Sequence, residues 1–341
     1  MTIDTRFSCL PTAIGSMPHR AAKEAYQFVI SRLPDVPMWP QLPRRDFTEN
    51  MYVQFSEGFP GIAIQGDKPI VDREEGFVMS LEALYTAEAS NDIKHHWISA
   101  ECAAGLHALL SSGERFPAVK GQMTGPITWG LCVADQNGQP IIYDDVMADA
   151  VIKHLRLKAR WQENALHRVS NNTIIFVDEP YLTSLSSFPA ITSNQVTSSL
   201  KSVLSAIQGI KGIHCCGSTD WTLLLEVRPD VLSFDAYNYA DSLALYPGQV
   251  EDFVKGGGAI AWGIVPNDEE CLSKETVYSL KDRLEEAMVP YTRNGLHFKQ
   301  LVEQSLLTPS CGLAHLPIEG AELALELLAE VSVKMREHHG S

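Results

Sequence analysis

The chain has no run approaching the ~18 consecutive apolar residues of a membrane span, so no membrane partner is expected. It has no basic excess: Lys and Arg number 27 against 42 Asp and Glu, a formal charge of −15. Wrapping a nucleic-acid backbone needs a basic face, which argues against that class of partner. The opening residues, MTIDTRFSCLPTAIGSMPHR, lack the basic-then-apolar order of a signal peptide, so a cytoplasmic protein is expected. No C-x-x-C knuckle occurs among the 7 cysteines, which are scattered and odd in number. They are expected to be reduced, and no disulfide framework or knuckle-type structural zinc is expected. No repeat, low-complexity tract or Pro/Gly-rich linker divides the chain, so one domain over 1–341 is expected.

What is present is an alternation of short apolar runs and longer amphipathic stretches. The runs are Cys9–Ile14, Met38–Leu42, Ala118–Met123, Thr173–Val177, Ile210–Cys215, Val231–Phe234, Ala259–Ile264 and Leu306–Pro309. Near-continuous apolar runs suit parallel strands buried on both faces. Helices are expected over 144–169, 192–208 (capped at Thr192 or Ser193), 273–289 (capped at Ser273) and 317–337. Strands alternating with helices predict an α/β fold, a single (β/α)8 TIM barrel. A doubly wound sheet is the competitor, but no G-x-G-x-x-G follows the first strand. Gly61–Arg73, with a turn signal at Gly66-Asp67, reads as an extra β-hairpin in the loop after the second strand.

Polar residues gather just past the ends of these runs, on the barrel rim where active sites are built. Ile14-Gly15-Ser16 offers backbone N–H groups to an anion, or is a plain strand-to-helix turn. Asp178 could bind an ammonium group or act as a base; it could equally cap a helix. In His214-Cys215-Cys216, residues i and i+2 face the same side of a strand. His214 and Cys216 therefore point together, with Cys215 turned the other way. With Cys311 and Asp235 on neighbouring ends, four N, S and O ligands for Zn2+ become possible. Spacing alone leaves open a reduced His and Cys in a packed core. The adjacent pairs His95-His96 and His338-His339 diverge by ~100° on a helix and are expected to be solvated. Trp39, Trp129 and Trp262 are expected in the core.

In chain order these pieces resemble the C-terminal catalytic domain of cobalamin-independent methionine synthase. Thr12–Pro18 resembles T-T-I-G-S-F-P, Gly121–Thr128 resembles G-M-L-T-G-P-V-T, and Val177–Pro180 resembles I-D-E-P. His214–Cys216 resembles H-M-C, Leu232–Asp235 resembles I-S-I-E, and Pro309–Leu313 resembles P-D-C-G-L. The resemblance implies a zinc ion held by His214, Cys216, Cys311 and Asp235, with L-homocysteine as the methyl acceptor. It implies that backbone at Ile14, Gly15 and Ser16 receives the acceptor carboxylate and that Asp178 holds its ammonium. The second acid for that ammonium aligns with Gln41. The tryptophan of the folate site aligns with Cys132, and the D-I-H-S histidine has no counterpart near Gly263–Pro266. The expected donor is therefore a methyl-corrinoid such as methylcobalamin, free or bound to a corrinoid protein. His19 is the candidate acid. The alternatives are methyltetrahydrofolate as donor, another small thiol such as coenzyme M as acceptor, and a zinc-binding module that docks a corrinoid protein without catalysis.

Overall fold

The computed structural model describes residues 6–293 and 295–339. Its strands are β1 (Leu10–Pro11), β2 (Ile62–Gln65), β3 (Lys68–Val71), β4 (Val119–Thr124), β5 (Ala134–Asp135), β6 (Thr173–Asp178), β7 (Ile210–Cys215), β8 (Val231–Phe234), β9 (Ala259–Val265) and β10 (Ser305–Pro309). Seven of them form one parallel sheet in the order β1-β10-β9-β8-β7-β6-β4. Helices lie between most of its strands, so the sheet curls as in a TIM-like barrel. Every residue of β4, β6 and β10 is buried, as strands covered on both faces must be.

The expected second strand, Met38–Leu42, is not a regular strand. Only single bridges form, Met38 with Lys120 and Ser16 with Gln41. The physical cause is proline: Pro37 and Pro40 carry no N–H, so no continuous ladder can run through this segment. It still lies between the end of β1 and β4, with Lys120 N–H donating to the Pro37 carbonyl (2.8 Å) and Gln41 N–H to the Gly15 carbonyl (2.9 Å). The segment 61–73 does hold an antiparallel pair, β2 with β3, around Gly66 at φ 65°. β5 adds to it in parallel, making a separate three-stranded sheet.

Helix Asp145–Leu166 opens on Asp144, which accepts from the N–H groups of Val146 and Met147. Helix Ser193–Leu204 is capped by Thr192. The third expected helix begins later than the spacing suggested. Thr276 and Ser279 form a reciprocal capping box for Val277–Thr292, while Ser273 ends the short helix Glu269–Leu272. The last helix runs Ile318–His339. The main apolar core lies between sheet and helices, and it takes in Trp39, Trp129 and Trp262. A smaller core, with Phe176, Val231, Ala261 and Leu306, fills the interior below the strand ends.

Gly105 holds the proline-rich segment in place. A Cβ there would lie 1.9 Å from the Pro40 carbonyl oxygen. Gly105→Val should therefore cost about 1–3 kcal/mol or more through overpacking. Urea denaturation measures this, and an unchanged midpoint would show that the segment is not clamped.

Candidate metal centre and substrate cavity

Strand registry brings the polar residues to one level. Asp178 at the end of β6 sits opposite Thr124 of β4 and His214 of β7, and His214 sits opposite Ser233 of β8. Cys216 follows β7 and Cys311 follows β10. The ligand atoms of His214, Cys216 and Cys311 all lie within 4.8 Å of one another. Cys215 turns away and is wholly buried, and burial pushes its thiol up to about 12, so it is inert.

The imidazole of His214 is set by its neighbour. Its Nδ1 lies 2.9 Å from Ser233 Oγ, while its Nε2 is buried without a partner. A buried nitrogen left so carries a desolvation cost that a ligand would relieve. The Cys216 thiol is drawn down to about 4, first by a hydrogen bond from Cys311 and then by His214, against burial. The same contact drives Cys311 upward, so the two thiols resist losing both protons together. One imidazole and two sulfurs on a barrel mouth fit Zn2+, and three ligands leave one tetrahedral position open.

Asp235 stands outside that cluster. Its carboxylate begins helix Ala236–Leu243, accepting from the Asn238 N–H (2.9 Å) and from Asn238 Nδ2 (2.8 Å). His19 is also elsewhere. It stacks on Phe28 at 5.9 Å, and the charges it feels are Glu322 and Glu24. The chain bends at Pro18 ahead of helix Ala22–Arg32, and His19 is not among the residues that line the cavity over the cluster.

A cavity of about 380 Å³ opens over the cluster, lined by Ile14, Ser16, Gln41, Asp178, His214, Cys216 and Cys311, among others. Asp178 does not cap a helix. Glu179 does so, accepting from the N–H groups of Ile127 (2.9 Å) and Thr128 (2.8 Å) and from Thr128 Oγ1 (2.6 Å). Asp178 Oδ1 is left buried and unpartnered. Burial pushes the Asp178 carboxyl up to about 6, with His214 and Lys120 pulling the other way. Gly15 is required by crowding: a Cβ there would lie 2.6 Å from Gln41 Oε1 and 2.7 Å from the Gln122 side chain. Gln41 Nε2 donates to Gln54 Oε1 at 2.6 Å, which fixes the Gln41 amide. On the far wall, a Cβ on Gly312 would lie 2.1 Å from Ser16 Oγ.

Residue reasoning missed several neighbours of this cavity. Tyr52, Asn267 and His315 line it. Asn267 braces the Cys311 loop, with Oδ1 accepting from Ser310 Oγ (3.0 Å) and Nδ2 donating to the Gly312 carbonyl (3.3 Å). Lys120 lies wholly buried, with Nζ donating to the Ile14 carbonyl (2.7 Å) and to Gln122 Oε1 (3.3 Å). Its ammonium also sits 4.5 Å from the centre of the Phe176 ring. Burial draws this lysine down to about 7, with Asp178 opposing. Lys120 and Gln122, two residues apart in a strand run with both faces covered, were the available signal.

Solved structures share this fold. A B12-independent methionine synthase from a Shewanella species, in complex with selenomethionine, superposes with TM-score 0.60 at 13% identity, covering 96% of this chain and 98% of that chain. A methyltransferase from Methanosarcina mazei gives 0.58 at 11% identity, covering 99% and 100%. At such identities the likeness establishes the fold. No protein-family model matches the chain, and no curated protein matches its sequence. The structural neighbours are thus methionine synthase-like and methyltransferase chains, the same direction in which the six motifs point.

Ser233→Ala is expected to weaken zinc binding by about 10–100-fold, because the imidazole loses the contact that orients its ring. Competition against a chromogenic chelator measures it. Unchanged affinity would show that Ser233 does not orient the ring.

Proposed function

We propose that the protein is a zinc-dependent methyltransferase that moves a methyl group from a methyl-corrinoid to the thiol of L-homocysteine, giving methionine. The observation that carries this reading is a His/Cys/Cys cluster and an unpartnered carboxylate, Asp178, on one cavity. In this reading segment Met38–Leu42 is the eighth stave of a (β/α)8 barrel. The donor is methylcobalamin, free or carried by a corrinoid protein.

His214, Cys216 and Cys311 would hold the zinc. When bound, the ion would supply Lewis acidity that keeps the acceptor sulfur deprotonated near neutral pH. Ser233 holds the imidazole so that Nε2 faces the ion. Asp235 would join as a fourth ligand by moving in toward the cluster, since each of its oxygens accepts only one hydrogen bond from Asn238 and keeps a lone pair; otherwise it contributes negative charge nearby. Asp178 orients the acceptor ammonium, Gln41 offers a neutral oxygen beside it, and the backbone at Ile14, Gly15 and Ser16 takes the carboxylate. The acceptor thiolate would take the methyl group: an S–C bond would form as the Co–C bond breaks, and its electron pair would stay on cobalt, which leaves as Co(I). That leaving group needs no proton, so the reaction needs no acid where His19 was expected to act. A nitrogen leaving group, as in methyltetrahydrofolate, would need one.

One observation favours a second acceptor. Gln41 is neutral, which weakens selection for an ammonium and leaves room for a thiol such as coenzyme M.

With one equivalent of zinc, homocysteine and methylcobalamin should give methionine faster than homocysteine and methyltetrahydrofolate. Equal or faster turnover with the folate would overturn the donor. Asp178→Asn should raise the homocysteine KM by about 10–100-fold, the worth of a hydrogen bond to a charged group. An unchanged KM would remove Asp178 from ammonium binding.

A further inference from the structure

On the outer face of the fold, far from the strand ends in sequence, three more ligand-bearing side chains converge. Glu285 lies on helix Val277–Thr292, and His338 and His339 end helix Ile318–His339. The two histidines do not diverge as expected for neighbours on a helix: their ring centroids are 4.6 Å apart at 76°. His339 packs on Phe298 at 4.7 Å and brings Nε2 to 2.8 Å from Glu285 Oε1. One ligand atom from each of Glu285, His338 and His339 lies within 4.8 Å of the others. His338 is exposed, and the other two are half-buried.

We propose that Glu285, His338 and His339 form a second metal site, an exchangeable one that clips the C-terminal helix to helix Val277–Thr292. Two imidazoles and one carboxylate suit a borderline divalent ion such as Zn2+, Ni2+ or Cu2+, and suit Mg2+ or Ca2+ poorly. Bonds of about 2.0–2.2 Å to a tetrahedral ion set ligand atoms roughly 3.3 Å apart, so the 2.8 Å contact between His339 Nε2 and Glu285 Oε1 must open to admit the ion, and side-chain rotation at this exposed edge allows it. Three protein ligands leave a coordination position to water, so the ion exchanges more readily than one held by two thiolates in a buried cavity. Lys281 is the built-in competitor: its Nζ lies 2.8 Å from the same Glu285 oxygen that His339 approaches. A bound cation must displace that ammonium or take the other carboxylate oxygen. The site is independent of the proposed methyl transfer.

The test is calorimetric titration of the metal-free, reduced full chain with zinc sulfate. Two steps are expected, a tight one in the cavity and a weaker one here. His338→Ala with His339→Ala should abolish the weaker step and leave the tighter one. Glu285→Gln should weaken it about 10-fold or more, as loss of a ligand does. Lys281→Met should tighten it several-fold by removing the competing charge. Cys311→Ala should remove the tight step and spare the weaker one, which separates failure of this site from failure of the cavity site. A wild-type chain with no weaker step, or a weaker step that survives the double histidine substitution, would overturn the proposal.

Discussion

The structure depends on a registry constraint: strand ends on one sheet must finish at the same height. Because Asp178, His214 and Ser233 are register partners across β6, β7 and β8, the carboxylate, the imidazole and its orienting hydroxyl lie on one level. β10 then delivers Cys311 to the sulfur of Cys216. Shifting any one strand by a residue would turn its side chain to the opposite face and dissolve the cluster. The buried Nε2 of His214 and the buried oxygen of Asp178 have no hydrogen-bond partner in the protein, so both favour a polar ligand in the cavity.

Beneath this rim the interior changes character. The inward positions of β4 carry Lys120 and Gln122, whereas the lower interior is filled by Phe176, Val231, Ala261 and Leu306. Lys120 ties the Ile14 carbonyl to the strand opposite the rim segment, and the bridge between Ser16 and Gln41 holds the next residues. The proposed carboxylate cradle is thus fixed from below and from the side. Glu179, by taking over the helix cap, leaves the adjacent Asp178 free for the cavity.

Much of this was legible in the sequence because it follows from periodicity. The i, i+2 rule placed His214 and Cys216 on one side, and apolar runs located the strands of the seven-stranded sheet but not β5. What was not legible depended on competition between neighbours. Asp178 and Glu179 both suit a cap, and it is Glu179 that packs on Gly125 and accepts from the Ile127 and Thr128 N–H groups. Ser273 and Thr276 both suit a helix start, and the reciprocal bond to Ser279 selects Thr276. Met38–Leu42 has the apolar pattern of a strand, but its prolines remove the donors a ladder needs. Asp235 matched a ligand position by order along the chain, yet Asn238, three residues on, binds both its oxygens. His19 was placed by proximity to strand one, and it is not among the residues that line the cavity.

The account stands or falls on whether the sulfur of an acceptor joins the cluster of His214, Cys216 and Cys311. X-ray absorption at the zinc edge, on protein loaded with one equivalent of zinc, reads this directly. The account predicts a nitrogen-and-sulfur shell that gains one sulfur when homocysteine is added. A shell without two protein sulfurs, or one that homocysteine leaves unchanged, would contradict it.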